Sequence, residues 1–442
     1  MAGTARRAIS TSMQEELASA YESSRRTAMD RRRFLLGGAG AAVAMGSAGL
    51  AVSPANATMI PQEIPDWSRY LGDDVNANPY GIPSPFEKHV VRRAVDWLTP
   101  TAESSVSFSP LQDMHGILTP NGLHFERHHG GVPEIDPGEH VLLLHGLVER
   151  PLKFSMADLL RMPAVSRIHF VECAANTGME WRGAQLNGVQ YTHGMISSSE
   201  WTGVALSTLL REAGLGDTAK WILVEGADSA ALSRSLPIAK ALDDCIVAYA
   251  QNGEMLRPEQ GYPVRLVVPG WEGNINVKWL RRLEVGDQPW HMREETSKYT
   301  DLMPNGKARQ FTWVMEAKSV ITSPCPEKRL LNKGHNVIRG LAWSGSGKVS
   351  RVDVSVDGGR NWRQASLDGL VLSKSLTRFS LPWEWNGRPM LLQSRVTDES
   401  GYTQPTIGQL REVRGEWSIY HNNAIQSWHL KQDGVSENVQ VG

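Results

Sequence analysis

The apolar pattern changes character near Thr312, and no other feature constrains the fold of this 442-residue chain as strongly. Between residues 118 and about 283 two periodicities mix. Val141-Leu142-Leu143-Leu144, Ile168-His169-Phe170-Val171, Trp221-Ile222-Leu223-Val224 and Val264-Arg265-Leu266-Val267-Val268 are short apolar runs that suit buried strands. Residues 155–162 and 205–213 carry helical spacing, with Ser155 and Ala205 near their starts. Residues 58–110 are rich in Pro, Asn and Asp, and the spacing of Val90, Ala94, Val95 and Leu98 predicts a helical run over 88–98. Beyond Thr312, Val352, Val354 and Val356 alternate with polar residues and run into Asp357-Gly358-Gly359, a hairpin signal. Residues 337–343, 381–385 and 390–396 add strand-like segments, and no long helical pattern appears before the tail. The expected fold is therefore α+β: a mixed α/β domain over 58–310, then an immunoglobulin-like β-sandwich over 311–442. The Cys-Trp-Cys framework of antibody domains is absent, so the second expectation concerns architecture alone.

The first 57 residues read as an address. Arg31-Arg32-Arg33-Phe34-Leu35-Leu36 places a twin arginine before a stretch from Phe34 to Pro61 that holds no charged residue and ends its small-residue run in Ala55-Asn56-Ala57. That stretch is too rich in Gly, Ala and Ser to make a good transmembrane helix, which needs about 20 strongly apolar residues. Cleavage after Ala57 and export to the periplasm in folded form are expected. Folding before export in turn suggests a cofactor inserted in the cytoplasm.

Composition excludes several classes. Lys+Arg 46 against Asp+Glu 47 gives a net charge of -1, so no basic excess exists to neutralise nucleic-acid phosphates. Three cysteines (Cys173, Cys245, Cys325) are too few for a disulfide scaffold. No CxxCH occurs, so no covalently attached c-type haem is expected in this chain. Cys173 ends the apolar run 168–171 and precedes a loop of small residues, where a thiolate would be a soft ligand for a transition metal. A buried structural cysteine is the plainer alternative at this point. His124-Phe125-Glu126-Arg127-His128-His129 crowds donors into six positions. It lacks the Cys or acid spacing of a zinc site and suits an anionic, heteroatom-rich ligand instead. Asp228, Gln260, Arg265 and the run Asn276-Val277-Lys278 recur among apolar strand residues, and fifteen tryptophans supply large packing surfaces with indole donors.

Together these segments resemble the sulfite oxidase family of molybdopterin enzymes over nearly the whole chain beyond residue 57. Residues 124–133 are similar to the family's FFxRNHxxxP loop, with Arg127, His129 and Pro133 matching. Ala248-Tyr249-Ala250-Gln251-Asn252-Gly253-Glu254, then Gly261 to Gly270 and Val277 to Leu280, follow its AYxxNGexL, HGxPxRxxxPG and VKWL strings. The resemblance implies a molybdenum-molybdopterin cofactor, with Cys173 as the metal ligand. It places the pterin and its phosphate among His124, Phe125, Glu126, Arg127, His128, Asp228, Gln260, Arg265, Asn276, Val277 and Lys278. Gln260 stands where the family has a histidine. Arg127, Tyr299 and His421 are the implied catalytic side chains, and the tail matches the family's dimerisation domain, implying a homodimer.

The departures matter as much. The family's arginine pair after the cysteine is Thr177-Gly178 here, and its late arginine is replaced near His421. A pocket poorer in fixed cations suits free sulfite badly. It resembles instead the sulfane dehydrogenase branch, whose substrate is a sulfane sulfur on a cysteine of a carrier protein. Arginines from elsewhere in the fold, Arg182 or Arg234 for instance, would restore sulfite binding if they reached the pocket. With no haem segment in the chain, a separate c-type cytochrome is the expected electron acceptor. The remaining alternatives are a plain sulfite dehydrogenase, a cofactor-free scaffold and a sulfoxide reductase.

Overall fold

The computed structural model describes residues 65–441, so the twin-arginine segment and its cleavage site lie outside the described residues. Ile82–Gly442 form one compact unit; the short described part of the other, residues 65–81, carries a single 3-10 turn, Asp66–Arg69.

The chain's aliphatic runs assemble as strands of two five-stranded sheets. In one, Trp221–Gly226 lies between Leu280–Gly286 and Ser233–Pro237, and Val141–Gly146 pairs with Leu280–Gly286 in parallel. In the other, Ala164–Glu172 pairs along its full length with Ile196–Ala205, which continues through Ile246–Gln251 to Arg265–Val267. The sheets share a core that includes Leu142, Leu144, Val204, Ile222, Val224, Val247, Leu266 and Leu283. Short helices cap it. Met156–Arg161 starts at a Ser155/Asp158 capping box, and Leu206–Ala213 buries Leu206, Leu209, Leu210 and Ala213.

Two local expectations change. The run 88–98 is not an α-helix: Arg93–Ala94 pairs antiparallel with Ser107 and Phe108, and Asp96–Leu98 makes a single 3-10 turn. A helix that short has too few hydrogen bonds to offset nucleation, so strand pairing wins. Conversely, the ten-residue strand Ile196–Ala205 has no apolar alternation to announce it. Its Ser197-Ser198-Ser199 run is buried because each hydroxyl finds a partner, in Ser109, Ser375 and Gln251 respectively.

Beyond residue 317 the chain is β-rich, as its alternation implies. Lys318–Ser323, Gly334–Trp343, Thr377–Trp385 and Ser366–Asp368 form one sheet; Arg363–Gln364, Val349–Ser355, Met390–Asp398, Ser427–Leu430 and Ser436–Val439 form a second. Both bury one face in a common core around Ile338, Leu341, Val352, Phe379, Val396 and Trp428. Phe170, Val189 and Ile196 of the preceding region join that core, so the two regions are welded rather than tethered.

Candidate active site

Cys173 follows the last residue of the Ala164–Glu172 strand. Its N–H donates to the Met195 carbonyl (3.0 Å) and its carbonyl accepts from Asn176 N (2.8 Å), which curls the next residues into a tight loop. The side chain is 8% exposed, and burial pushes its thiol above the usual value. Two cavities meet at this sulfur. Cys173, Arg127, His129 and Tyr299 line both.

The first cavity gathers most of the residues singled out in the sequence. His124, Phe125, Arg127 and His128 enter from the segment held by the Glu126–Arg127 strand, which pairs with Val106 and Ser107. Gln260, Arg265, Asn276, Val277 and Lys278 close the opposite wall, and Asp228 and Tyr299 complete it. Gly261 is required here. Its φ of +108° is left-handed, and a Cβ would stand 3.0 Å from the Lys278 Cβ and 3.1 Å from the Arg265 Cβ.

The electrostatics of this cavity are one-sided. Arg265 donates only to the Gln260 and Asn276 carbonyls (3.0 Å each) and its Nε has no partner. Lys278 Nζ reaches the Glu259 carbonyl (3.0 Å) and His128 Nδ1 (2.8 Å). Neither cation has a carboxylate partner among the described residues. Burial draws Arg265 down to about 9 and Lys278, also facing Arg265, well below its usual value. Each lies over an indole, Arg265 over Trp201 (4.9 Å) and Lys278 over Trp279 (4.5 Å). Because Lys278 donates to Nδ1, His128 carries its proton on Nε2 and gives it to Glu126 (2.7 Å). Glu126 therefore does not line the cavity. It pairs with Arg92 and sets the tautomer of His128 from behind. His124 is fully buried and neutral, its pKa lowered to about 3 by burial; its Nδ1 donates to the Phe125 carbonyl (3.0 Å), leaving Nε2 a lone pair without a partner.

Other assignments shift in detail. Gln260 spends its amide donor on the Phe125 carbonyl (3.2 Å). The Asn276 side chain holds its own turn, accepting from Val268 N (2.7 Å) and donating to the Glu272 carbonyl (3.0 Å). Tyr299 is buried with its hydroxyl 3.4 Å from His129 Nε2. His421 lines neither cavity. Its imidazole lies between Glu316 (3.2 Å) and Glu272 (3.4 Å), behind the cysteine loop. Cys245 and Cys325 are buried elsewhere, their thiols also pushed up by burial. Among the described residues no three His, Cys, Asp or Glu side chains converge on a metal position.

The second and larger cavity, about 540 Å³, opens above Cys173. Thr177 and Gly178 border it, and the bulk an arginine pair would place there is missing. The cavity is nonetheless richer in cations than the sequence suggested. Arg182, Arg293 and Lys298 reach its rim, whereas Arg234 is locked at Glu272 (2.8 Å) and Asn274. Sequence reasoning missed Arg293 and Lys298 because their segment carries no apolar pattern. Glu172, Lys318 and Glu272 were missed too, for their partners are more than 30 residues distant.

Fold and site together define a molybdopterin oxidoreductase. Residues 129–293 match the family described as oxidoreductase molybdopterin binding domain, and residues 309–428 the Mo-co oxidoreductase dimerisation domain. The chain belongs to the sulfite oxidase family of these enzymes. Among solved structures, the sulfane dehydrogenase SoxCD from Paracoccus pantotrophus is 54% identical with a TM-score of 0.85, over 86% of this chain and 98% of that one. Mitochondrial sulfite oxidase of Mus musculus is 32% identical over 71% of this chain and 61% of its own length. An NADH nitrate reductase of Ulva prolifera is 31% identical over 66% of this chain. The chain spans 38% of that reductase, and so less than two thirds of either curated relative.

The residues present fit the cofactor this family binds. Two buried cations lacking counter-ions match a phosphate, and an imidazole lone pair matches a pterin N–H. A single thiol at the shared mouth of both cavities matches a soft metal ligand.

Proposed function

We propose that this protein is a periplasmic molybdenum oxidoreductase that oxidises sulfane sulfur bound to a carrier protein and passes the electrons to a c-type cytochrome. The single observation that carries the reading is the pairing of the two cavities at Cys173: one lined by donors, the other larger and bordered by Thr177 and Gly178 in place of an arginine pair. The 54% identity to a sulfane dehydrogenase supports the same choice.

When bound, the molybdenum cofactor supplies oxygen-atom transfer, taking two electrons for each water-derived oxygen passed to sulfur and releasing two protons. Arg265, Lys278 and His124 would hold its pterin and phosphate, and Cys173 the metal. The chain's other tasks follow from its geometry. Arg127, anchored through the Ser105 and His128 carbonyls, presents positive charge where an oxidised sulfur becomes anionic. Tyr299 is neutral, its pKa raised well above 10 by burial, and offers a hydroxyl proton beside His129. Walls formed by Phe108, Tyr191, Met195 and Tyr420 keep water scarce around the reacting sulfur.

Export by the twin-arginine route and a homodimer through the C-terminal region belong to the same proposal. Replacing Arg31 and Arg32 by lysine should leave uncleaved precursor in the cytoplasm. The rim cations Arg182, Arg293 and Lys298 favour a second reading, free sulfite as substrate. Purified holoenzyme with its cytochrome separates the two: kcat/KM on a persulfidated carrier should exceed that on sulfite by at least about tenfold. Equal efficiency would make the protein a sulfite dehydrogenase.

A further inference from the structure

Behind the Cys173 loop lies a chain segment whose backbone contacts to that loop the proposed chemistry does not use. Residues 418–423 follow the Ile407–Arg414 helix and run directly along the loop. His421 N donates to the Ala174 carbonyl (2.8 Å), and Asn422 Nδ2 donates to the Thr177 carbonyl (3.1 Å). Thr177 Oγ1 returns a bond to the Asn422 carbonyl, and Trp181 Nε1 donates to the Tyr420 carbonyl (3.3 Å). At Gly178 the approach is closer still: a Cβ there would stand 2.6 Å from the Ile419 carbonyl oxygen. Thr177 and His421 both hold left-handed φ, +64° and +53°, a conformation that needs outside support in a residue with a side chain.

The support is a buried chain of alternating charge. Arg234 pairs with Glu272 (2.8 Å), Glu272 with His421 (3.4 Å), His421 with Glu316 (3.2 Å), Glu316 with Arg414, and Arg414 with Asp301 (2.8 Å). Ser418 Oγ donates to that same Asp301 (2.5 Å), and Thr312 Oγ1 lies 3.1 Å from His421 Nε2. The imidazole therefore stands between two carboxylates: Glu272, whose backbone makes a β-bridge with Glu172 next to Cys173, and Glu316, two residues before the Lys318–Ser323 strand of the C-terminal region. A neutral side chain at 421 would leave the two carboxylates unbridged.

We infer that residues 418–423 form a clamp on the Cys173 loop and that His421 is its positioning residue, setting the loop's shape through the Ala174 carbonyl without touching either cavity. The C-terminal region would then complete the active site from behind, in addition to whatever it contributes to association. Ile419 and Tyr420, carried by the clamp, line the cavity above Cys173, so the segment that holds the loop also shapes that cavity.

The test reads loop order rather than turnover. In the full-length protein, hydrogen exchange is followed at the amides of Cys173, Asn176 and Gly178, all hydrogen-bonded within or beside the loop. Labelling of Cys173 by a thiol reagent is followed in the cofactor-free protein. His421→Gln should accelerate both by at least about tenfold, the equivalent of roughly one hydrogen bond. The Val349–Ser355 strand should keep its wild-type exchange, and His421→Lys, which restores a cation, should recover most of the protection. If His421→Gln fails to fold, Asn422→Ala replaces it, removing one clamp contact without uncovering a buried charge; the same local acceleration is expected. Wild-type protection of the loop in either folded variant would overturn the inference, as would equal acceleration in the Val349–Ser355 strand. Neither outcome depends on which sulfur compound is the substrate, so failure here is distinct from failure of the proposed function.

Discussion

Lys318→Met should be among the most destabilising single changes in this protein, although the residue lines no cavity. Lys318 and Glu172 are 1% and 0% exposed, and Nζ stands 2.7 Å from Oε1. The carboxylate also accepts from Trp343 Nε1 (2.7 Å) and Asn176 Nδ2 (3.0 Å). Methionine matches the length of lysine, so the variant removes the charge and leaves little void. What remains is a buried carboxylate with two neutral donors. Breaking a buried pair from one side costs about 3–5 kcal/mol, and the two surviving hydrogen bonds place the expectation near the lower end. At about 2.1 cal/mol/K per residue, a cooperative unit of about 380 residues unfolds with roughly 0.8 kcal/mol/K, so 3 kcal/mol lowers Tm by about 4 °C. The paired variant Glu172→Gln with Lys318→Met removes both charges together, and most of the loss should return. Calorimetry on wild type, both single variants and the pair, at matched cofactor content, gives the coupling energy. We expect at least about 2 kcal/mol. If the single losses simply add, the charges act independently and the argument from an uncompensated buried carboxylate is wrong.

Three further outcomes follow from the same geometry. Cys173→Ser should abolish molybdenum retention and activity while Cys245→Ser, at a residue that lines neither cavity, leaves metal content by elemental analysis at the wild-type level. Lys278→Met should raise the Tm of the cofactor-free protein by removing a buried cation without a counter-ion, and should lower pterin content after purification; a variant that loses stability in the cofactor-free form would show that the lysine is already well compensated. Stability should fall on both sides of a plateau. Burial opposes the charge on His421, but Glu316 and Glu272 outweigh it and raise its pKa from 6.5 to about 9, so its contribution is complete below pH 6.5 and lost as pH rises toward 9. Burial works against Glu316 too, yet His421 and Arg414 hold it at about 2 instead of 4.5; that contribution is complete above pH 4.5 and lost as pH falls toward 2. A Tm profile of His421→Gln that keeps the wild-type alkaline limb would show that another group governs it.

The sequence disclosed what repeats locally and concealed what is paired at a distance. Aliphatic runs such as 141–144 and 221–224 are strands because a short apolar stretch has few other ways to bury itself, and the alternation around Val352 needed only its own neighbours to be read. The donor-lined cavity was legible for a related reason: its residues are concentrated in strings, and all but Glu126 of those assigned to the cofactor line it. Glu126 shows the limit. Its position in the string is right, yet its carboxylate faces Arg92 and His128 behind the wall, and only the fold reveals which way a strand residue points. The buried serine strand Ile196–Ala205 was invisible because its stability rests on hydroxyl partners 50 to 180 residues away. His421 is the instructive case. Sequence position suggested a side chain facing the substrate, as its place near the family's late arginine would require. The structure turns the imidazole away, toward two carboxylates, while its backbone N–H donates to the Ala174 carbonyl of the Cys173 loop. A cation at that position in the chain can therefore serve the site from behind, and losing the arginine need not mean losing the charge.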